Sequence, residues 1–229
     1  MKFSKAAAVI AGLLFALGLL ITCIDTVCFF KPLYSYEYKT NDTAAGLRMS
    51  DEDLMNATDT LLDYLKDTRD DIVVEATVNG IEREVFDERE TLHMIDVKNL
   101  YQSALTVRNL CIGVSAFILV LLWFTARNSY ARTVWRGYRS GMLCMAVLIL
   151  GIVIWAALDF TNFWIQFHYL FFDNDLFFLD PAVSIMINMF PESFFTHVVF
   201  GIIILFVVLA LIIDGCLKFL AKREVKPVV

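Results

Sequence analysis

Uncharged runs at residues 6–24, 109–126, 140–158 and 193–213 punctuate the chain. Each comes close to the roughly 20 apolar positions that a helix needs to cross a bilayer core of about 30 Å. Between the first two the pattern changes. Ser50 followed by Asp53 reads as a capping box with the shorter acid, and Leu54, Leu61, Leu62 and Leu65 recur at helical spacing, which predicts an amphipathic helix over about 51–67. IVVEATVNGIEREVF then offers two β-favouring runs joined by Asn79-Gly80, a dipeptide that tolerates positive φ, and predicts a hairpin over about 72–86. In DERETLHMIDVKNLYQSAL, acids lead and Leu92, Val97, Leu100, Tyr101 and Leu105 follow at helical intervals. A helix is expected from near Glu88, running unbroken into the second span, with His93, Asp96, Val97 and Leu100 on one face.

Between the third and fourth runs the pattern is aromatic. Ten of the chain's twenty phenylalanines fall between Phe160 and Phe195, beside Trp164, His168 and Tyr169 and without a Lys or Arg. Such a segment belongs at a membrane interface, where amphipathic rings favour headgroup depth. Asp180-Pro181 is expected to cap a short helix AVSIMINM, and Pro191-Glu192 to open the last span.

Composition agrees with the pattern. Apolar residues make up 59% of 229 positions, far above a water-soluble domain of this size. Charge then orients the spans. Lys2 and Lys5 precede the first, Arg127, Arg132, Arg136 and Arg139 fill the connection between the second and third, and Lys218, Lys222, Arg223 and Lys226 follow the fourth. By the positive-inside rule these segments are cytoplasmic, which four crossings satisfy. The other connections hold 17 acids against nine bases (31–108) and five acids against none (159–192). A net charge of −6 divided this way speaks for membrane orientation and against nucleic-acid binding.

The expected fold class is an all-α membrane protein: a four-helix transmembrane bundle with both termini cytoplasmic and a small extracytoplasmic α+β cap of amphipathic helix and β-hairpin. Along the chain this gives a first transmembrane helix (1–30), the cap (31–108), the second and third helices with their basic cytoplasmic loop (109–158), an aromatic interfacial outer loop (159–192), and the fourth helix with its basic tail (193–229). The first segment imitates a signal peptide but is longer than a usual signal core, and Thr22 is a poor small residue ahead of Cys23, so it reads as a retained helix. Gly12 and Gly18 are candidates for close approach by a neighbour. Cys23, Cys28, Cys111, Cys144 and Cys216 all lie in or beside the spans and form no disulfide framework. The sequons at Asn41 and Asn56 are short patterns that arise by chance.

Candidate chemistry is scarce. The chain has three histidines, His93, His168 and His197, all on the expected outer side or at its boundary. Imidazole exchanges protons near neutrality, so His93 and His168 brought together would form an acid/base or nucleophilic pair. The bland alternative is that each bonds a backbone carbonyl. Asp96 stands one turn from His93, placed to orient it or to pair with Lys98, and Tyr169 stands beside His168; both are supporting candidates. A metal site from His93, His168, Asp96, Asp173 and Asp175 has no H-E-x-x-H or clustered His/Cys pattern behind it, and no metal or cofactor is expected. No G-x-S-x-G elbow, Walker loop or glycine-rich nucleotide fingerprint occurs either.

ETLHMIDVKNLY paired with FHYLFF, then LDP, then PESFF, on four spans with both termini inside, resembles the bacterial lipoprotein intramolecular transacylase family, Lit. Phe177 stands where the pattern has a tryptophan ahead of LDP, and Ser184 where it has an acid. The resemblance implies a cell-membrane acyltransferase. It would move the sn-2 acyl chain of a diacylglyceryl lipoprotein onto the α-amine of the N-terminal cysteine, giving the lyso-form, with His93 and His168 as the essential pair. The partners so implied are that lipoprotein and membrane lipid. Read from the residues alone, two alternatives stay open: a non-catalytic membrane protein that binds a partner or senses the envelope, and a metal-dependent membrane hydrolase.

Overall fold

The computed structural model describes residues 2–224; Lys226, counted above among the basic residues of the tail, lies outside them. In chain order the elements are α1 (Lys2–Cys28), α2 (Lys31–Thr40), α3 (Thr43–Leu47), α4 (Asp51–Leu65), β1 (Glu75–Val78), β2 (Ile81–Glu84), α5 (Glu88–Thr125), a 3-10 turn (Arg127–Ser129), α6 (Tyr130–Leu158), α7 (Phe160–Phe171), α8 (Ile185–Met189) and α9 (Glu192–Arg223). Among the described residues, α1, α5, α9 and the stretch Arg127–Leu158 are long and apolar enough to cross a membrane. The chain forms two compact units, one of Met1–Asp25, Ala104–Trp164 and Gly201–Val229, the other of Thr26–Ser103 and Ile165–Phe200.

The first unit is a helical bundle that turns apolar side chains outward. Phe117, Phe124, Leu143, Leu158 and Leu211 are each more than 60% exposed, a surface that suits lipid tails and not water. Apolar burial cannot drive helices together in lipid, so their contacts depend on small residues and polar links. Ala8 and Gly12 of α1 meet Gly137 and Gly141 of α6 backbone to backbone; a Cβ built on any of the three glycines would overlap main-chain atoms opposite. Gly18 leaves room for Ile112, whose Cγ1 would lie 2.7 Å from an added Cβ. Ser115 donates to the Ala11 carbonyl at 2.9 Å, Tyr138 to the Ala210 carbonyl at 2.7 Å, and Trp135 Nε1 to Asp214 Oδ1 at 2.9 Å. The carboxylate of Glu224 accepts from the N–H groups of Ala131 and Arg132 at the start of α6.

The second unit holds the predicted helix and hairpin. Ser50 Oγ accepts from Asp53 N at 3.0 Å and caps α4, which buries Leu54, Ala57, Thr58, Leu61 and Leu62 on one face. β1 and β2 pair antiparallel with Val78 opposite Ile81, and Asn79 (φ 56°) and Gly80 (φ 77°) make the turn in the left-handed region, as a two-residue primed turn requires. Tyr34 and Tyr38 of α2 are buried, Tyr34 packing on Phe190 and Phe194, and Tyr38 bonding Thr58 at 2.8 Å. Burial pushes both phenols up.

Two expectations need correction. Asp180 does not open a helix. Its side chain and carbonyl accept from the N–H groups of Ala182, Val183 and Ser184 and close a turn, and Ser184 caps α8 instead, accepting from Ile187 N at 3.2 Å. The stretch 159–192 is also more than a loop, because Asp159 accepts from Asn162 N at 2.9 Å and starts α7, along which Phe160 and Trp164 stack at 5.9 Å.

Candidate active site

The start of α5 builds the site, with Asp87 just ahead of the helix and Arg89 and Glu90 in its first turn. Asp87 and Glu90 cap the helix reciprocally: Asp87 Oδ1 accepts from Glu90 N at 2.8 Å, and Glu90 Oε2 accepts from Asp87 N at 2.7 Å, a capping box with Asp in the leading place. Glu90 is 1% exposed, and its Oε1 also accepts from Ser184 Oγ at 2.6 Å and Met186 N at 2.8 Å. Arg89 donates to the carbonyls of Asp175 and Phe178. One turn on, His93 is buried at 8% exposure.

His168, on α7 and 7% exposed, faces it. The ring centroids lie 5.9 Å apart with 33° between the planes. Phe172 packs edge-on to His93 at 5.6 Å and against His168 at 5.7 Å, while Phe177 stacks on His168 at 4.6 Å. The ordinary imidazole value of about 6.5 is pushed down to about 4 at His93. Burial is the main cause, then His168 beside it, with Arg89 acting the same way and Asp96 against them. Among the described residues, His93 Nδ1 is buried with no hydrogen-bond partner, which leaves that nitrogen open to a substrate.

The other candidates fall around this pair. Asp96 accepts from Asn174 at 2.8 Å rather than from His93 Nδ1, and Lys98 pairs with Asp67 at 2.7 Å and not with Asp96. Asp96, Asn99, Ser103, Asp173 and Asn174 line an open depression of about 360 Å³ floored by Leu100, Phe171 and Phe172. Tyr169 is half exposed and buttresses Phe177, which in turn packs His168. His197 bonds Glu37 through Nδ1 at 2.8 Å and is occupied elsewhere in the unit. Among the described residues no group of three His, Cys, Asp or Glu is placed to hold a metal ion. Glu90 and Arg89 escaped the sequence reading. The Asp87-x-x-Glu90 spacing was a usable signal for the cap, but nothing local points to Ser184 or Phe178.

Fold and site define a membrane-integral protein that holds two imidazoles ring to ring in an aromatic shell. The chain belongs to the lipoprotein intramolecular transacylase Lit family, whose model matches residues 9–195. The solved structure of the membrane-integral transacylase Lit from Bacillus cereus is similar over 97% of this chain and 98% of that one, with a TM-score of 0.78 at 18% identity. Forms of that protein with one histidine replaced by arginine or by alanine match with a TM-score of 0.76 at 19% identity, over 97% of this chain and 94% and 96% of theirs. A search of curated proteins by sequence gives no match. The protein is an enzyme, a membrane acyltransferase of lipoproteins, and the non-catalytic alternative falls.

Proposed function

We propose that the protein moves the sn-2 acyl chain of a diacylglyceryl lipoprotein to the α-amine of its N-terminal cysteine, with His93 as base and His168 as its partner, on the extracytoplasmic side of the cell membrane. The observation that carries this reading is the pair itself: two buried imidazoles 5.9 Å apart, one held neutral and, among the described residues, without a partner at Nδ1.

An α-amine with a pKa of about 7.7–8.0 is mostly protonated at neutral pH and attacks only as the free base. Its nitrogen bonds to the ester carbonyl carbon, the bond from that carbon to the glycerol sn-2 oxygen breaks, and one proton passes from nitrogen to the departing oxygen. No water is consumed. His93, unprotonated throughout the physiological range, takes the proton from the attacking nitrogen and returns it to the departing sn-2 oxygen, so it ends the cycle as it began, while His168 donates a ring N–H to the oxyanion. Amine and ester belong to one molecule, so holding them in attack geometry contributes much of the rate, up to about 7–11 kcal/mol in well-oriented intramolecular reactions. Phe172 and Phe177 keep water, which would hydrolyse the ester, from the rings.

Mass spectrometry of lipoprotein N-termini from cells expressing wild type, His93→Ala or His168→Ala tests this. Lyso-form product should fall by about 100- to 10,000-fold, the usual worth of an acid–base group, in each variant at equal membrane abundance. Normal product from both would remove the assignment. A chelator that abolishes wild-type transfer would favour the metal-dependent alternative.

A further inference from the structure

We propose that Glu90 is the positioning residue of the histidine pair, holding α5 in register with the loop that follows His168. This rests on the transacylase reading for its kinetic consequence, not for its structural one. Glu90 touches neither imidazole. It sits three residues before His93 on the same side of α5, and its two oxygens take three hydrogen bonds: one from its own helix start at Asp87, two from the chain 94 and 96 residues away, at Ser184 and Met186. All of this is buried, with Glu90 at 1%, Ser184 at 2% and Met186 at 5% exposure.

The loop so anchored carries what packs His168. Residues 172–184 leave α7 just after His168, place Phe172 against both imidazoles and Phe177 on His168, and end at the Ser184 cap of α8. Arg89 holds the middle of that loop through the carbonyls of Asp175 and Phe178, but from an exposed position. Glu90 is the buried tie, and it joins the helix of one histidine to the loop that encloses the other. Without its oxygens, the Ser184 hydroxyl and the Met186 N–H lose the acceptor that ties α8 to the turn before His93. Ser184 supplies the hydroxyl that this tie uses.

The test compares full-length wild type, Glu90→Ala, Glu90→Gln and Ser184→Ala in micelles, by kinetics per folded enzyme on a synthetic diacylglyceryl lipopeptide and by NMR titration of ¹³C-labelled histidine. Glu90→Ala should lower kcat about 100-fold, the effect of displacing reacting groups by about 1 Å, and leave KM near the wild-type value. Its His93 signal should titrate closer to the ordinary value of about 6.5. Glu90→Gln keeps an oxygen for Ser184 and Met186 and should recover most of kcat. Should Glu90→Ala fail to fold, Ser184→Ala decides, with a smaller drop in kcat and the same direction of movement at His93. Folded Glu90→Ala or Ser184→Ala with wild-type kcat and unmoved His93 titration overturns the proposal. If wild type makes no lyso-form product, the functional reading fails, and the titration still decides the role of Glu90.

Discussion

Two imidazoles packed ring to ring cannot both carry a proton cheaply, and burial makes the charge dearer still at His93, whose value falls to about 4. Its folded value lies below the unfolded one, so the ring resists protonation and is lost as a base only at low pH. This fixes the pH dependence of kcat/KM. The free amine of the substrate gives a rise of one decade per pH unit up to about 8, and the second decade, from His93, should appear only below about pH 4; an unperturbed histidine would bring it in at about 6.5. A profile that bends to slope two near 6.5 would contradict the base role in this environment. The sequence named both histidines, because scarce residues at one end of a membrane protein stand out. It could not say that Asp96 turns to Asn174, or that Glu90 reaches Ser184, since partners more than 70 residues apart leave no trace in local spacing.

Helices that were legible share one property: a long run whose ends carry charge or caps. The spans, α4 and α5 were all readable for that reason, and α5 begins at the expected Glu88. The short α2 and α7 were not, because aromatic and β-branched residues are indifferent helix formers and their helicity comes from tertiary packing; nor was α3, whose five residues TAAGL are too few to show a helical period. Gly12 and Gly18 were noticed as points of close approach, but their partners were not, since a glycine on one helix does not name the helix opposite. The crossing of α1 and α6 now supplies a test. Gly137→Val would drive a side chain into the Ala8 main chain, where neither backbone can yield, at a cost of about 3 kcal/mol, the upper end for overpacking. A clear drop in Tm in detergent is expected. Gly113→Ala, which meets nothing within 4 Å, should leave Tm unchanged or slightly raised, as alanine is the better helix former. Equal Tm for both variants would mean that the crossing adds nothing to stability.

For the whole molecule, charge decides the sidedness on which the proposed chemistry depends. The 3-10 turn at Arg127–Ser129 and the first turns of α6 carry Arg127, Arg132 and Arg136 with no acid, while the residues around the histidine pair include Asp87, Glu88, Asp173 and Asp175. Retention of arginines on the cytoplasmic side is a bias on short loops, and 127–139 is short enough to obey it. A long connection such as 31–108 crosses largely regardless of its own charge, so the expectation that it lies outside rests on the short arginine loop and not on its acids. Exposed positions report the outcome directly. In intact cells a membrane-impermeant maleimide should label Asp70→Cys and Asp173→Cys and leave Asn128→Cys unlabelled until the cells are opened, each variant made in a background with the five native cysteines replaced by alanine. Labelling of Asn128→Cys in intact cells, with Asp70→Cys protected, would place His93 and His168 on the cytoplasmic side and leave the proposed lipoprotein chemistry on the wrong face of the membrane.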